Sequence, residues 1–217
     1  MSNKESVGTN FDVGLMRYAS EQAWRGVEIM QATFKPGMRE SDACAAAQRI
    51  LTDVGMERIW HPTHVRFGVN TTKTFKQKSD GDPVLGEDDI YFVDIGPVFR
   101  GHEGDVGATF VVGDDPEKKA CAAAAKELFE TVSRTWKEDG LAGPALYDFA
   151  AQRARDMGWK LNLDIKGHRV SDYPHSVHRG GDLGDFNGRP AAGVWILEIQ
   201  IAHVSKPFGA FYEDLLI

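Results

Sequence analysis

Five side chains able to ligate a metal, Asp94, Asp105, His168, Glu198 and Glu213, stand on apolar, β-prone segments of a 217-residue chain. Asp94 interrupts Ile90-Tyr91-Phe92-Val93-Asp94-Ile95, Glu198 interrupts Val194-Trp195-Ile196-Leu197-Glu198-Ile199, and Glu213 precedes Asp214-Leu215-Leu216-Ile217. Burying an unpaired carboxylate is very costly. Any one of these acids alone reads as a strand-end carboxylate facing water, but together they ask for shared cations. Four carboxylates and one imidazole suit two divalent ions, and an oxygen-rich set with a single nitrogen favours Mn, Fe, Co or Zn over thiolate-seeking metals.

Spacing adds to composition. Gly96, Gly101 and Gly104 separate Asp94 from Asp105, which reads as a β-hairpin with strands at about 90–96 and 105–112 and both aspartates at one end of the sheet. The segments Val93-Asp94-Ile95-Gly96, Gly104-Asp105, Gly167-His168, Leu197-Glu198 and Gly209-Ala210-Phe211-Tyr212-Glu213-Asp214 resemble, in order, the ligand motifs of the superfamily of methionine aminopeptidase, aminopeptidase P, prolidase and creatinase. The Lys35-Pro36-Gly37-Met38-Arg39-Glu40 turn is similar to that family's helix-to-helix junction, and the ending at 209–214 is most like the aminopeptidase P and prolidase branch.

The resemblance implies roles. Asp94 would chelate one ion, Asp105 and Glu213 would bridge both, and His168 and Glu198 would complete the second. A hydroxide bridging the two would attack an amide bond. It implies further that His175 contacts the substrate and steadies the tetrahedral intermediate, with His178 as a nearby substrate contact or a solvated loop residue. The chain also departs from the pattern. Relatives that are peptidases carry another histidine in the strand before the first aspartate, where Gly68-Val69-Asn70-Thr71-Thr72-Lys73-Thr74-Phe75 offers Phe75 or a neighbour instead. His61 and His64 lie upstream and either fold back to compensate or stay solvated. The family's glycine after the ligand histidine is Arg169 here, a rigid fork suited to a substrate carboxylate, or else a partner for an acid such as Asp172.

The expected function is a dinuclear metal-dependent hydrolase, of aminopeptidase or Xaa-Pro dipeptidase type, acting on a small peptide or small-molecule amide. The missing histidine and Arg169 keep a second reading open, an amidinohydrolase or lyase on a small non-peptide molecule. A binding module without catalysis is a third.

The elements that must position these residues follow from periodicity and punctuation. A helix is expected at about 11–34, with Val27, Met30 and Phe34 on one face, ending before Pro36-Gly37. A second is expected at about 41–54, between the cap Ser41 and Gly55. A long irregular stretch holding Trp60-His61-Pro62-Thr63-His64 precedes the aspartate strands. Asp115-Pro116 opens a third helix to about 138, and Pro144 a fourth to about 157 before Gly158. Two helices then strands, twice over, predict an α+β domain of pseudo-twofold form, with helices on one face of a curved antiparallel sheet and the metals where the halves meet. The resemblance implies the same architecture, the pita-bread fold, with its site on the concave face. Residues 1–10 read as a flexible N-terminus and 11–217 as a single catalytic domain, with no separate N-terminal domain expected.

A formal net charge of −7 argues against a nucleic-acid partner. The absence of an apolar leader or an 18-residue apolar run argues against a membrane. The expected location is the cytoplasm, and a homodimer is left open. Cys44 and Cys121, in Ala-rich helical stretches, are expected to be reduced core residues. Lys73, Lys76 and Lys78 form a small basic run with solvated ends.

Overall fold

A computed structural model describes residues 3–174 and 181–217 of the chain. Its elements in order are α1 (Val13–Thr33), α2 (Glu40–Val54), β1 (Arg58–Phe67), β2 (Asp89–Phe99), β3 (His102–Glu103), β4 (Val106–Val112), α3 (Pro116–Asp139), α4 (Gly143–Asp156), β5 (Lys160–Leu161), β6 (His168–Arg169), β7 (Trp195–Ala202) and β8 (Gly209–Leu215). The helix–helix–strands order occurs twice, as the punctuation predicted. The caps follow local chemistry. Asp12 accepts from Leu15 N, Asp115 accepts from Glu117 N and Lys118 N ahead of Pro116, and Gly55 and Gly140 close α2 and α3 in the left-handed conformation. Ser41 is not the cap of α2. It lies one residue inside the helix, and Asp82, arriving from a distant loop, accepts both its N–H and its hydroxyl.

The strands form one sheet in the order β1-β2-β4-β8-β7-β5, with β3 beside β2 and β6 beside β7, and all the pairings are antiparallel. Strand alternation sends Tyr91, Val93 and Ile95 to the face covered by α1 and α2, and Leu197, Ile199 and Ile201 to the face covered by α3 and α4. The intervening acids Asp94 and Glu198 therefore face the other, helix-free side. The expected fold class, helices on one face of an open antiparallel sheet, is the one observed.

The two halves join in the middle of the sheet, where β4 and β8 share a single ladder pair, Gly107 with Glu213. Beside it the Thr109 hydroxyl replaces the ladder, donating to Phe211 O at 2.9 Å and accepting from Phe211 N at 2.7 Å.

Two expectations need correction. The stretch around His61 is not irregular but forms β1, an edge strand in which Pro62 is tolerated because the register slips on both sides of His61. The first ten residues, expected to be flexible, are docked from Glu5 onward. Glu5 is buried and accepts from Ala191 N and Trp195 Nε1, both at 2.8 Å, while Gly8 N and Asn10 N donate to Asp172. Both cysteines are free thiols, Cys121 in the core and Cys44 half-buried.

Candidate metal centre

One register row crosses the centre of the sheet. His64 stands opposite Asp94, Asp94 opposite Gly107, Gly107 opposite Glu213, and Glu213 opposite Glu198. Direct partners on antiparallel strands share a face, so this row alone brings two acids of the second half against one of the first. Asp105 lies two positions before Gly107, which puts it on the same face at the mouth of β4. Asp214, one step past Glu213, takes the opposite face and accepts from Ser20 Oγ and Trp24 Nε1 of α1, both at 2.8 Å. The adjacent acids of the 213–214 pair thus have separate tasks, one facing the site and one fastening a helix.

His168 comes from the short strand β6 beside β7. Its Nε2 lies 2.9 Å from Asp105 Oδ2, and its Nδ1 donates to the carbonyl of Arg169 at 3.0 Å. Glu198 Oε2 accepts from Gly167 N at 2.8 Å, which ties the histidine's strand to the acid's. Donor atoms converge in two groups that share Asp105. His61, Asp94 and Asp105 form one, and Asp105, His168 and Glu213 the other, with the donor atoms of each group within 4.8 Å of one another. Glu198 lines the same cavity beside them.

The electrostatics are those of a site short of positive charge. Burial, then the charges of Asp105, Asp94 and Glu198, raises Glu213 well above the carboxylate range. Burial, only partly offset by His168, pushes Glu198 up to about 7, and burial against the pull of His61 leaves Asp94 at about 6. Asp105 goes the other way, to about 2, because His61 and His168 outweigh its own burial. Burial alone would depress those imidazoles, but Asp105 holds His61 up at about 9 and His168 at about 10.

Two buried oxygens, Glu213 Oε1 and Asp105 Oδ2, lack a hydrogen bond among the described residues, Oδ2 having only the ion-pair approach of His168. Orphaned buried oxygens in an O-rich, N-poor cluster fit divalent cations of the Mn, Fe, Co and Zn kind. The residues present therefore fit the expected ions.

A cavity of about 320 Å³ opens over the cluster. Phe92, Phe211 and Ile165 pack together beside it, with the Phe92 and Phe211 rings 5.2 Å apart. His64 and Phe75 both line the cavity, as does Trp60. His64 is held neutral, its pKa lowered to about 4 by burial, then by Arg66 and His61. Two lysines line the cavity among the described residues, Lys76 donating to Asp164 O and Lys166 paired with Asp185.

Arg169 is a correction. It is fully buried and faces away from the cavity, its guanidinium donating to Val194 O and Ser6 O and lying over the Trp195 ring. The strand period explains this, since the neighbour of a site-facing histidine must point to the opposite face. Asp172 is not its partner either, being occupied by Ser171, Gly8 and Asn10. His175 and His178 lie outside the described residues. Of His61 and His64, whose places the sequence left open, His64 lines the cavity and His61 sits inside the cluster. The signal was Gly96, whose missing side chain makes room for its ring.

The model of metallopeptidase family M24 matches residues 14–217. No curated protein matches the chain in sequence. Among solved structures, an X-Pro aminopeptidase from Thermotoga maritima is similar at 20% identity and a TM-score of 0.78, with 96% of this chain and 58% of that one covered. A prolidase from Pyrococcus furiosus gives 17% and 0.76, covering 97% and 62%, so this chain spans about three fifths of either. A methionine aminopeptidase from Thermotoga maritima gives 16% and 0.73, covering 96% and 93%. At these identities the likeness is one of fold.

Proposed function

The chain belongs to metallopeptidase family M24, and from that membership we propose that it is a metal-dependent hydrolase cleaving an amide bond of a short peptide, with two divalent ions held by Asp94, Asp105, His168, Glu198 and Glu213. The observation that carries this reading is the pair of donor groups sharing Asp105, beneath a cavity lined by apolar and cationic side chains. Bound there, such ions would polarise the scissile carbonyl and activate water.

The chain's own residues supply the rest. About 320 Å³ lies near the lower end of small-molecule pockets and suits a dipeptide better than a long chain. Trp60 and Phe75 would receive an apolar side chain. Lys166 and Lys76 would meet a terminal carboxylate, the role that buried Arg169 cannot play. His64, neutral and level with Asp94, would donate or accept a hydrogen bond without adding charge. His175 keeps its proposed place as the histidine beside the reacting carbonyl.

The test is to strip the protein of metal, reload it with Mn, Co or Zn, and compare Xaa-Pro and other dipeptides with non-peptide amides. Metal-dependent dipeptide turnover is expected. Failure on every peptide, with turnover of a non-peptide amide, would favour the second reading, an amidinohydrolase or lyase. One observation supports that rival: Phe75, not a histidine, stands on the cavity wall from the stretch before Asp94.

A further inference from the structure

We propose that His61 is a sixth protein ligand, to the ion shared by Asp94 and Asp105, so that each ion of the pair is held by one imidazole. The proposal rests on the two-ion reading above and adds to it a residue outside the five.

Local sequence explains how His61 gets there. Pro62 has no N–H for a ladder, so a strand containing it belongs at a sheet edge or a bulge. β1 is an edge strand, and its register with β2 shifts between Ile59 and His61 and again between His61 and His64. Such irregularities re-aim a side chain. Opposite His61 stands Gly96, where a Cβ would come 2.0 Å from His61 Cδ2 and 2.3 Å from Nε2. Only glycine there lets the ring lie over the neighbouring strand and reach the aspartates.

The two ring nitrogens face different partners. Nδ1 lies 2.9 Å from the Pro62 carbonyl, which can only accept, so Nδ1 carries the proton. In the neutral ring the Nε2 lone pair then faces Asp105 Oδ1 at 3.2 Å and Asp94 Oδ1 at 3.7 Å. One lone pair and two carboxylate oxygens make three donors of electrons with nothing between them, an arrangement that a cation satisfies. Donor atoms each about 2.1 Å from a common ion stand about 3.0–3.4 Å apart at octahedral or tetrahedral angles. The shorter observed separation falls in that range and the longer a few tenths outside it.

His168 repeats the arrangement on the other side. Its Nδ1 is on a backbone carbonyl and its Nε2 is at the second oxygen of Asp105. A carbonyl on the far nitrogen is the usual device that sets the tautomer of a metal-ligating histidine. Trp60 lies between the two rings, meeting His61 at 4.5 Å and His168 at 5.6 Å, edge to face in both cases. A nitrogen in the first ion's shell favours borderline ions such as Co and Zn over Mn at that position.

The test loads the metal-stripped full chain with Co(II), and separately with Mn(II), follows binding by calorimetry, and counts imidazoles per cobalt by X-ray absorption. The wild type is expected to show an average of one imidazole per cobalt. His61→Phe keeps a ring against Trp60 and removes the nitrogen; its metal-free melting checks the fold. In it, one of the two sites should lose about tenfold or more in Co(II) affinity, with a smaller change for Mn(II) and the imidazole count halved. One imidazole for every two cobalt ions in the wild type, or unchanged Co(II) affinity at both sites in His61→Phe, overturns the proposal and leaves the two-ion reading standing. In that case His61 only hydrogen-bonds Asp105. A wild-type chain that binds no divalent ion overturns both.

Discussion

At the residue scale, Asp105 is the side chain that both donor groups need, since its two oxygens face different imidazoles. Asp105→Asn keeps the shape and removes the charge. If the proposed two-ion centre holds, elemental analysis is expected to show bound divalent metal falling from two ions per chain to one or none, and hydrolysis falling to background. Two ions and unchanged turnover in that variant would sink the assignment. Arg169 gives the opposite kind of prediction, because its guanidinium is spent on Val194 O and Ser6 O inside the protein. Arg169→Lys cannot reproduce the fork, and hydrogen bonds from a charged group contribute about 1.5–3 kcal/mol each. Denaturant unfolding should show a loss of about that size, while the ratio of KM values for acid and amide versions of one substrate stays put. A shift in that ratio alone would return Arg169 to the substrate.

At the scale of elements, the sequence was most legible where a helix or strand is punctuated at both ends. The four helices lie within one or two residues of their expected spans, because Gly55, Asp115-Pro116 and Pro144 mark their bounds by local chemistry. The hairpin of β2 and β4 was equally plain from its glycines. The strand carrying His61 was hidden, since Pro62 is forbidden in a central strand and only the sheet order reveals that β1 is an edge. The four acids and one imidazole of the site could be named because their apolar flanks betray them. The inward turn of His61 could not, as it depends on a register slip and on a glycine in another strand. Nor does anything in the polar segment before α1 announce that Glu5 is buried against Ala191 and Trp195. Glu5→Ala would leave the buried Trp195 Nε1 and the part-buried Ala191 N–H without their acceptor, and should lower stability by about 1–3 kcal/mol for the buried donor. Thermal melting at fixed metal content checks this, and an unchanged melting temperature would mean that the segment is not docked in solution.

At the scale of the whole molecule, the cluster's protons couple the fold to pH. Asp94, Glu198, Glu213, His61 and His168 all hold protons more tightly folded than unfolded. Their contribution to the metal-free protein is fully present below the unfolded values. It is lost as pH rises through about 6 for Asp94, 7 for Glu198, 9 for His61 and 10 for His168. Asp105, depressed to about 2, loses its contribution only as pH falls through that value. The metal-stripped protein should therefore melt at a lower temperature at alkaline than at mildly acid pH, and the gain on adding metal should grow with pH as ions replace protons. A metal-free melting temperature that rises across this interval contradicts the charge balance described. The seam between β4 and β8 carries this further. His61, Asp94 and Asp105 come from the first half of the chain, and His168, Glu198 and Glu213 from the second, while the backbones of those two strands pair at one position only. The ions would then act as rivets across the joint, so that cooperativity itself depends on them. With metal the chain is expected to unfold in a single calorimetric transition; with a chelator, the two helix–strand halves should separate into two broader ones.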